Sequence, residues 1–305
     1  MIDKTELAAR LNGIEKLARG GIVDRFLSDP VRYVSAILFW RLIYPLNKKG
    51  KFVDTATFFG KSMQVVLPAA TEIFLFGAKT HDSEIRLARF LIEQLNSENI
   101  FCDVGAHFGY FSLLASYLVG PKGKVISFEA SKNTFSVFHK NVKNEVNIIA
   151  ENKAAAESNN VFTFYEYPVL YSEYNSLKKT EADARWLKSN PPKKSIVAGQ
   201  QLGAYFLEKN IFPAIIKIDV EGAELQVLNG MSVYLEKNYK PVIVMEYITD
   251  KSQNTAHENA IAFLRKKGFE TYIINKTGKL VPEKNIKDSL KERNLNSDNI
   301  VLKKI

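Results

Sequence analysis

The sequence predicts an α/β protein built on a largely parallel sheet with helices on both faces. Two observations carry this reading. Short apolar runs alternate with amphipathic stretches from Ile100 onward, and two of those runs end in an acid followed by a glycine-containing turn, at Asp103 and Asp219. With 305 residues, 46% hydrophobic and 25% charged, the chain has the composition of a folded globular protein.

A first helix is expected from Asp3. Asp3 and Glu6 have capping-box spacing, and Leu7, Leu11, Ile14 and Leu17 recur on one face as far as Gly20-Gly21. A second helix starts at Asp29, with Pro30 in its first turn, and runs to Pro45. It is apolar nearly all round, so residues 31–44 are expected to pack on the main body of the protein or on another subunit, as a homo-oligomer contact; contact with a membrane surface is the less favoured alternative. Short strands at 52–58, 63–67 and 72–76, separated by Gly60 and Pro68, lead to a helix from Ser83 to Leu95. The expected division is a helical extension (1–50), a β/helix lead-in (51–99) and a main domain (100–305).

Within the main domain, strands are read at 100–104, 124–129, 146–150, 214–219, 241–247, 269–274 and 299–303. Helices are read at 109–119, 133–143, 201–209, 222–236 and 256–267. Val161–Tyr167 reads as an extra strand, and the polar, basic stretch 172–196 as an active-site loop or lid.

Cys102 is the only cysteine, which excludes an internal disulfide and a thiolate metal cage; in its apolar run it is expected to be a buried thiol. The N-terminus lacks a basic start followed by an apolar core, and no run reaches the ~18 apolar residues needed to span a bilayer. A cytoplasmic location is expected. The net charge of +9 suits an anionic partner or simply a solubilising surface.

The stretch from Ile100 to Phe111 carries most information. An apolar strand delivers Asp103 at its C-terminal end, where open parallel sheets bind ligands, and Gly105 and Gly109 let the backbone approach one closely. The Gly-x-x-x-Gly spacing, the acid before the turn, and bulky His107 and Phe108 all disfavour a dinucleotide. Asp103 would repel a pyrophosphate and attract a ligand bearing an amino group and a sulfonium. Glu129 ends the next strand, where a carboxylate can accept hydrogen bonds from both ribose hydroxyls. Asn152 follows the third strand and could offer its amide to an adenine edge, with Glu151 or Lys153 as alternatives.

These residues resemble the FkbM-type methyltransferases, a branch of the class I S-adenosylmethionine-dependent enzymes. The matching pieces are Asp103 to Tyr110, Phe128-Glu129, Asn133, Phe135, Asn141, Asn175-Ser-Leu and, most specifically, Lys217-Ile-Asp-Val-Glu-Gly-Ala-Glu. Leu228, Gly230 and a strand ending near Glu246 follow, and the likeness runs from about 52 to 250. Ala130 and Gly203 depart from the family pattern, which has Pro and Asp there. The resemblance implies a Rossmann-like sheet of seven strands, the last antiparallel. It implies one S-adenosylmethionine, held by Asp103, Gly105, Ala106, Gly109, Tyr110, Glu129, Asn152 and Asp219. It also implies O-methylation of a small-molecule or glycan hydroxyl, on a sugar, glycolipid or polyketide-like product.

A hydroxyl acceptor must lose a proton to a group within hydrogen-bond reach. Asp219 is the first candidate and Glu221 the second, with helix capping as the alternative role for Glu221. Lys217 could orient the site or form a structural ion pair, and His107 could be a base or pack the cofactor turn. Glu246 and His81 are further candidates. Asp219 and Glu221 show no third ligand in sequence, so no metal is expected.

Three patterns are set aside. Asn190-Pro-Pro-Lys has Lys where amine-methylating enzymes of nucleic acids need a stacking aromatic, and it does not end an apolar strand. Tyr174/Lys178 and Tyr205/Lys209 have the spacing of short-chain dehydrogenases without the glycine fingerprint. The rival functions are an NAD(P)-dependent oxidoreductase and a basic RNA- or membrane-surface-binding protein; nucleic acid is not the expected partner.

Overall fold

The computed structural model describes residues 3–179, 185–237, 239–249 and 251–304. The N-terminal part comprises α1 (Lys4–Arg19), α2 (Ile22–Ser28), α3 (Pro30–Leu38), a π-helical turn (Phe39–Ile43), α4 (Tyr44–Asn47), the hairpin β1 (Lys51–Ala56) and β2 (Ser62–Leu67), α5 (Thr71–Phe76) and α6 (Asp82–Gln94). Leu7 and Leu11 of α1 are fully buried, as the stripe predicts. The expected capping box is not formed: Asp3 makes no side-chain cap bond, and Glu6 pairs instead with Arg10 at 2.8 Å, one turn on. Arg89 of α6 holds α1 through Asn12 and Glu15.

Three readings of this region are corrected. Helix α2 lies between the two expected helices, where none was predicted. Pro45 does not end the second helix but lies in the first turn of α4; the helix stops at Lys48, which takes a left-handed conformation. Residues 72–76 form a helix, not a strand. Their apolar run is too short for periodicity to decide, and Glu72 in the first turn and Gly77 (φ +69°) at the C-cap supply the helical ends.

The remaining strands are β3 (Ile100–Val104), β4 (Lys124–Phe128), β5 (Ile148–Glu151), β6 (Ala154–Ala155), β7 (Val161–Glu166), β8 (Lys193–Gln200), β9 (Ile215–Ile218), β10 (Val242–Ile248), β11 (Phe269–Ile274), β12 (Leu280–Pro282) and β13 (Ser297–Lys304). The helices are α7 (Tyr110–Val119), α8 (Lys132–Val142), α9 (Arg185–Ser189), α10 (Leu202–Glu208), α11 (Glu224–Gly230), α12 (Ser232–Glu236), α13 (Lys251–Lys266) and α14 (Ile286–Glu292). The main sheet has the order β12-β11-β13-β10-β9-β3-β4-β5. Strands β10, β9, β3, β4 and β5 are mutually parallel, and β13 runs antiparallel to both β10 and β11. This is the expected Rossmann-like α/β sheet, with its last strand reversed. It has eight strands and not seven, because β12 adds an edge that ends at Pro282, where a ladder donor is missing.

Alternating side chains feed two cores. Phe101, Val125, Ile215 and Val244 point to the face shared with α6, α7 and the N-terminal elements. Cys102, Ile126, Ile216 and Met245 point to the face covered by α10 to α14. The stretch 172–196 is not one loop. A 3₁₀ turn (Val169–Tyr174) and α9 occupy part of it, and β8 begins within it and pairs with β7; residues 180–184 lie outside the described set. Strand β8 was hidden because its face is mostly exposed and opens on Lys193 and Lys194, so no apolar alternation marks it. The expected helix 222–236 is two helices starting at Glu224, because Glu221 (φ +53°) and Gly222 (φ +91°) are left-handed. Helix α14, also unread in sequence, is capped by Asn285 and buries Ile286 and Leu290.

Candidate active site

A cleft of about 610 Å³ opens at the C-terminal ends of β3, β4, β9 and β10. Its floor is set by the register of the sheet. Asp103 of β3 lies opposite Lys217 of β9, and the Asp219 N–H donates to Val104 O at 3.0 Å. Gly105 (φ +79°) follows; a Cβ there would stand 1.8 Å from the Asp219 carbonyl oxygen, so the two strand ends touch backbone to backbone. The glycine expected to admit a ligand is thus also required by the neighbouring strand.

Gly105, His107, Glu129, Asp219, Glu221, Glu246 and His81 all line this cleft. The other expected residues stand behind it. Asp103 is fully buried; it accepts from Ser112 Oγ at 2.6 Å and lies 3.4 Å from Lys217 Nζ. Ala106 donates its N–H to Phe128 O, and Gly109 packs where a Cβ would strike the Phe138 ring at 2.5 Å. Tyr110 is buried against Phe59 and Phe111. Asn152 donates from Nδ2 to Glu129 O (2.8 Å) and Ala130 O (3.2 Å), bracing the turn after β4.

The Glu129 carboxylate accepts the His107 N–H through Oε2 and the Ser131 N–H through Oε1, each at 2.9 Å. Each oxygen keeps a further acceptor site. Burial pushes this carboxyl up to about 7, against the lowering effect of the two N–H donors. His107 is held in a left-handed turn (φ +50°), with Nε2 3.0 Å from Ser172 Oγ. Burial and the nearby Lys79 push its imidazole down to about 3, so it is neutral at physiological pH.

Three carboxylates gather opposite. Oxygens of Asp219, Glu221 and Glu246 lie within 4.8 Å of one another, close enough to share protons or a divalent cation. The third member, Glu246, lies near the end of β10, two strands away from the cofactor turn, and only the fold shows the grouping. Asp219 is half-buried, and its partial burial raises its carboxyl, but Lys217 at 3.1 Å and Lys79 outweigh that and hold it below the usual range. Glu221 is driven well up by burial and by Glu246 and Asp219. Glu246 is pushed up to about 8 by burial, then by Asp219 and Glu224.

Sequence reasoning missed Lys79, Glu84 and Ser176. Lys79, just before α6, and Glu84, in its first turn, form a half-buried ion pair at the cleft edge, and burial lifts Glu84 to about 7. Ser176 is buried, and its hydroxyl reaches both Val220 O (2.8 Å) and Glu221 O (3.0 Å), fastening the 169–179 segment over the turn that presents Glu221. Asn175-Ser-Leu was its visible trace.

The cleft suits a cationic nucleoside. Ala154, Ala155 and Phe164 give one end an apolar wall, Glu129 stands between, and the acid trio occupies the other end.

The structure is similar to several solved structures. A methyltransferase FkbM from Methylobacillus flagellatus is 14% identical, covering 77% of this chain and 52% of that one, with a TM-score of 0.39. An O-methyltransferase from Bacillus cereus, in complex with SAH, is 8% identical over 72% and 78%, with a TM-score of 0.40. A fibrillarin from Aeropyrum pernix, with natively bound S-adenosyl-L-methionine, is 12% identical over 72% and 74%, also at 0.40. No curated protein matches the sequence significantly. The model of the methyltransferase FkbM domain matches residues 103–271, more than half of the chain and every strand end that builds the cleft, and the chain belongs to that family.

Proposed function

We propose that the protein is an S-adenosylmethionine-dependent O-methyltransferase acting on a hydroxyl of a sugar, glycolipid or polyketide-like molecule. Residues 100–305 would form the cofactor-binding domain, with 1–50 and 51–99 as its extension and lead-in. The carrying observation is the acid trio facing Glu129 across one cleft.

The bound cofactor supplies a methyl carbon already activated by sulfonium, so the protein's task is alignment and proton removal. Glu129 would hold the ribose hydroxyls on its two spare acceptor sites, its geometry fixed by the His107 and Ser131 N–H groups. Asp219, kept ionised by Lys217, would face the donor's positive end. Sequence favours Asp219 as the base, but its tie to Lys217 makes it a weak one. The Glu221–Glu246 pair is the stronger acceptor of the hydroxyl proton, since burial raises both carboxyls, Glu246 to about 8, nearer the range a general base needs. A cation arriving beside the pair favours its ionised form.

The test combines calorimetric titration of S-adenosylmethionine with methyl transfer from radiolabelled cofactor to a panel of glycans, lipids and polyketides. Glu221→Gln and Glu246→Gln should keep cofactor affinity and lose transfer by about a hundredfold or more. Asp219→Asn should lose both. Absence of stoichiometric cofactor binding by the wild type would end the reading.

A further inference from the structure

The N-terminal helices present an apolar surface that the cleft does not use. Of nineteen exposed large apolar side chains among the described residues, eleven fall between Ile22 and Leu46. They are ordered. Val31, Val34, Leu38, Leu42 and Leu46 recur at three- and four-residue steps along α3, the π turn and α4, and all face solvent, Val31 at 79% and Leu46 at 86% exposed. The opposite side carries Ala36, Phe39 and Tyr44, which are buried against the body. A surface helix normally turns polar residues outward, so this helix is apolar on both sides and partnered on one. Helix α2 continues the surface with Ile22, Val23, Phe26 and Leu27, none of them buried.

Charge says what covers it. Arg41, Lys48, Lys49 and Lys51 are exposed beside the stripe, and none of the four joins an ion pair among the described residues. The two acids of the stretch are spent locally: Asp24 accepts the Gly21 N–H at 2.8 Å, and Asp29 accepts the Arg32 N–H at 3.0 Å. A second copy docked through the same face would bring its own uncompensated cations toward these four. An anionic bilayer surface would bury the stripe at the level of the acyl boundary and neutralise the cations at the headgroups.

We propose that α2 to α4 form an in-plane docking face for a membrane surface rich in anionic phospholipid. The face adjoins the cleft: the Leu170 N–H donates to Tyr44 Oη at 3.2 Å, and Leu170 belongs to the 3₁₀ turn whose Ser172 and Glu173 line the cleft. Docking on this face sets that wall of the cleft close to the bilayer. The proposal stands on the helices alone and does not need the identity of the acceptor.

The full chain is mixed with vesicles of phosphatidylcholine, with and without phosphatidylglycerol, and binding is read by flotation. Trp40 emission is followed in Trp186→Phe, which leaves Trp40 as the only tryptophan. Binding should require phosphatidylglycerol, weaken with salt, and shift Trp40 emission to the blue. Leu38→Ser/Leu42→Ser/Leu46→Ser should lose at least about tenfold in partitioning. Lys48→Glu and Lys49→Glu should each lose about fivefold or more. Circular dichroism and cofactor titration check that the fold is kept in the leucine and lysine variants, which are all changed at exposed positions. Two results overturn the proposal: a folded wild type that stays unbound at low salt, or a dimer in sedimentation that the triple variant dissociates, which would make the face a subunit contact.

Discussion

Lys217 Nζ lies 3.1 Å from Asp219 Oδ2, and this contact sets the protonation of the site. Lys217 is almost wholly enclosed, with Asp103 at 3.4 Å on its other side and the Phe111 ring at 5.5 Å. It pairs with two strand-end carboxylates, Asp103 behind the cleft and Asp219 facing it, and holds the second below the usual carboxylate range.

Lys217→Met should therefore leave the buried Asp103 without its counter-charge and Asp219 with Lys79 alone. Loss of one partner from a buried pair costs about 3–5 kcal/mol, measurable by urea denaturation at neutral pH. The sign follows from Asp219: its folded pKa is depressed, so its stabilising contribution is present above the unfolded value and is lost as pH falls through the folded one. The wild-type advantage over Lys217→Met should shrink on acidification. An advantage that grows below pH 4 would contradict the pairing.

Glu129 sits near pKa 7 in the free protein because it is buried. A ligand donating two hydroxyls to it stabilises the ionised form, so cofactor affinity should rise as pH increases through about 7. Glu129→Gln should flatten that dependence, and Glu129→Ala should cost ~1–3 kcal/mol of binding, read by calorimetry. An unchanged dissociation constant would remove Glu129 from the site.

Gly105→Ala places a Cβ against the Asp219 carbonyl at φ +79° and should destabilise by about 3 kcal/mol or more. Gly222→Ala has a similarly left-handed φ of +91° but meets nothing within 4 Å, so it should cost only about 1–2 kcal/mol. Thermal melts of the two variants separate backbone collision from backbone strain. Equal losses would show that the collision relaxes freely.

Arg86 bridges α6 to β13 through Asp298, at 2.6 Å and almost fully buried, and Arg293 joins the same carboxylate at 3.0 Å. Arg86→Met should lower stability by about 3–5 kcal/mol without altering cofactor affinity. A parallel loss of affinity would place this bridge in the site's energetics.

The strand ends at Asp103, Glu129 and Asp219 were legible because each combines an apolar run, an acid and a turn within a few residues. Register was not. The sequence shows three strand-end acids but not that Asp103 turns away toward Lys217 and Ser112 while Glu246 turns in. Such groupings depend on strand order, which no local pattern encodes. Strand β8 and the 72–76 helix failed for a different reason. One is exposed along most of its length and the other is a single apolar run, so neither gives periodicity a contrast to detect.

Ser176 fastens the outer wall of the cleft to the backbone carbonyls of Val220 and Glu221, groups that any side chain at 220 or 221 would still supply. The wall and the floor are thus joined by a bolt indifferent to what flanks it. Residues flanking Ser176 in the wall can be exchanged while the joint between wall and floor keeps its shape.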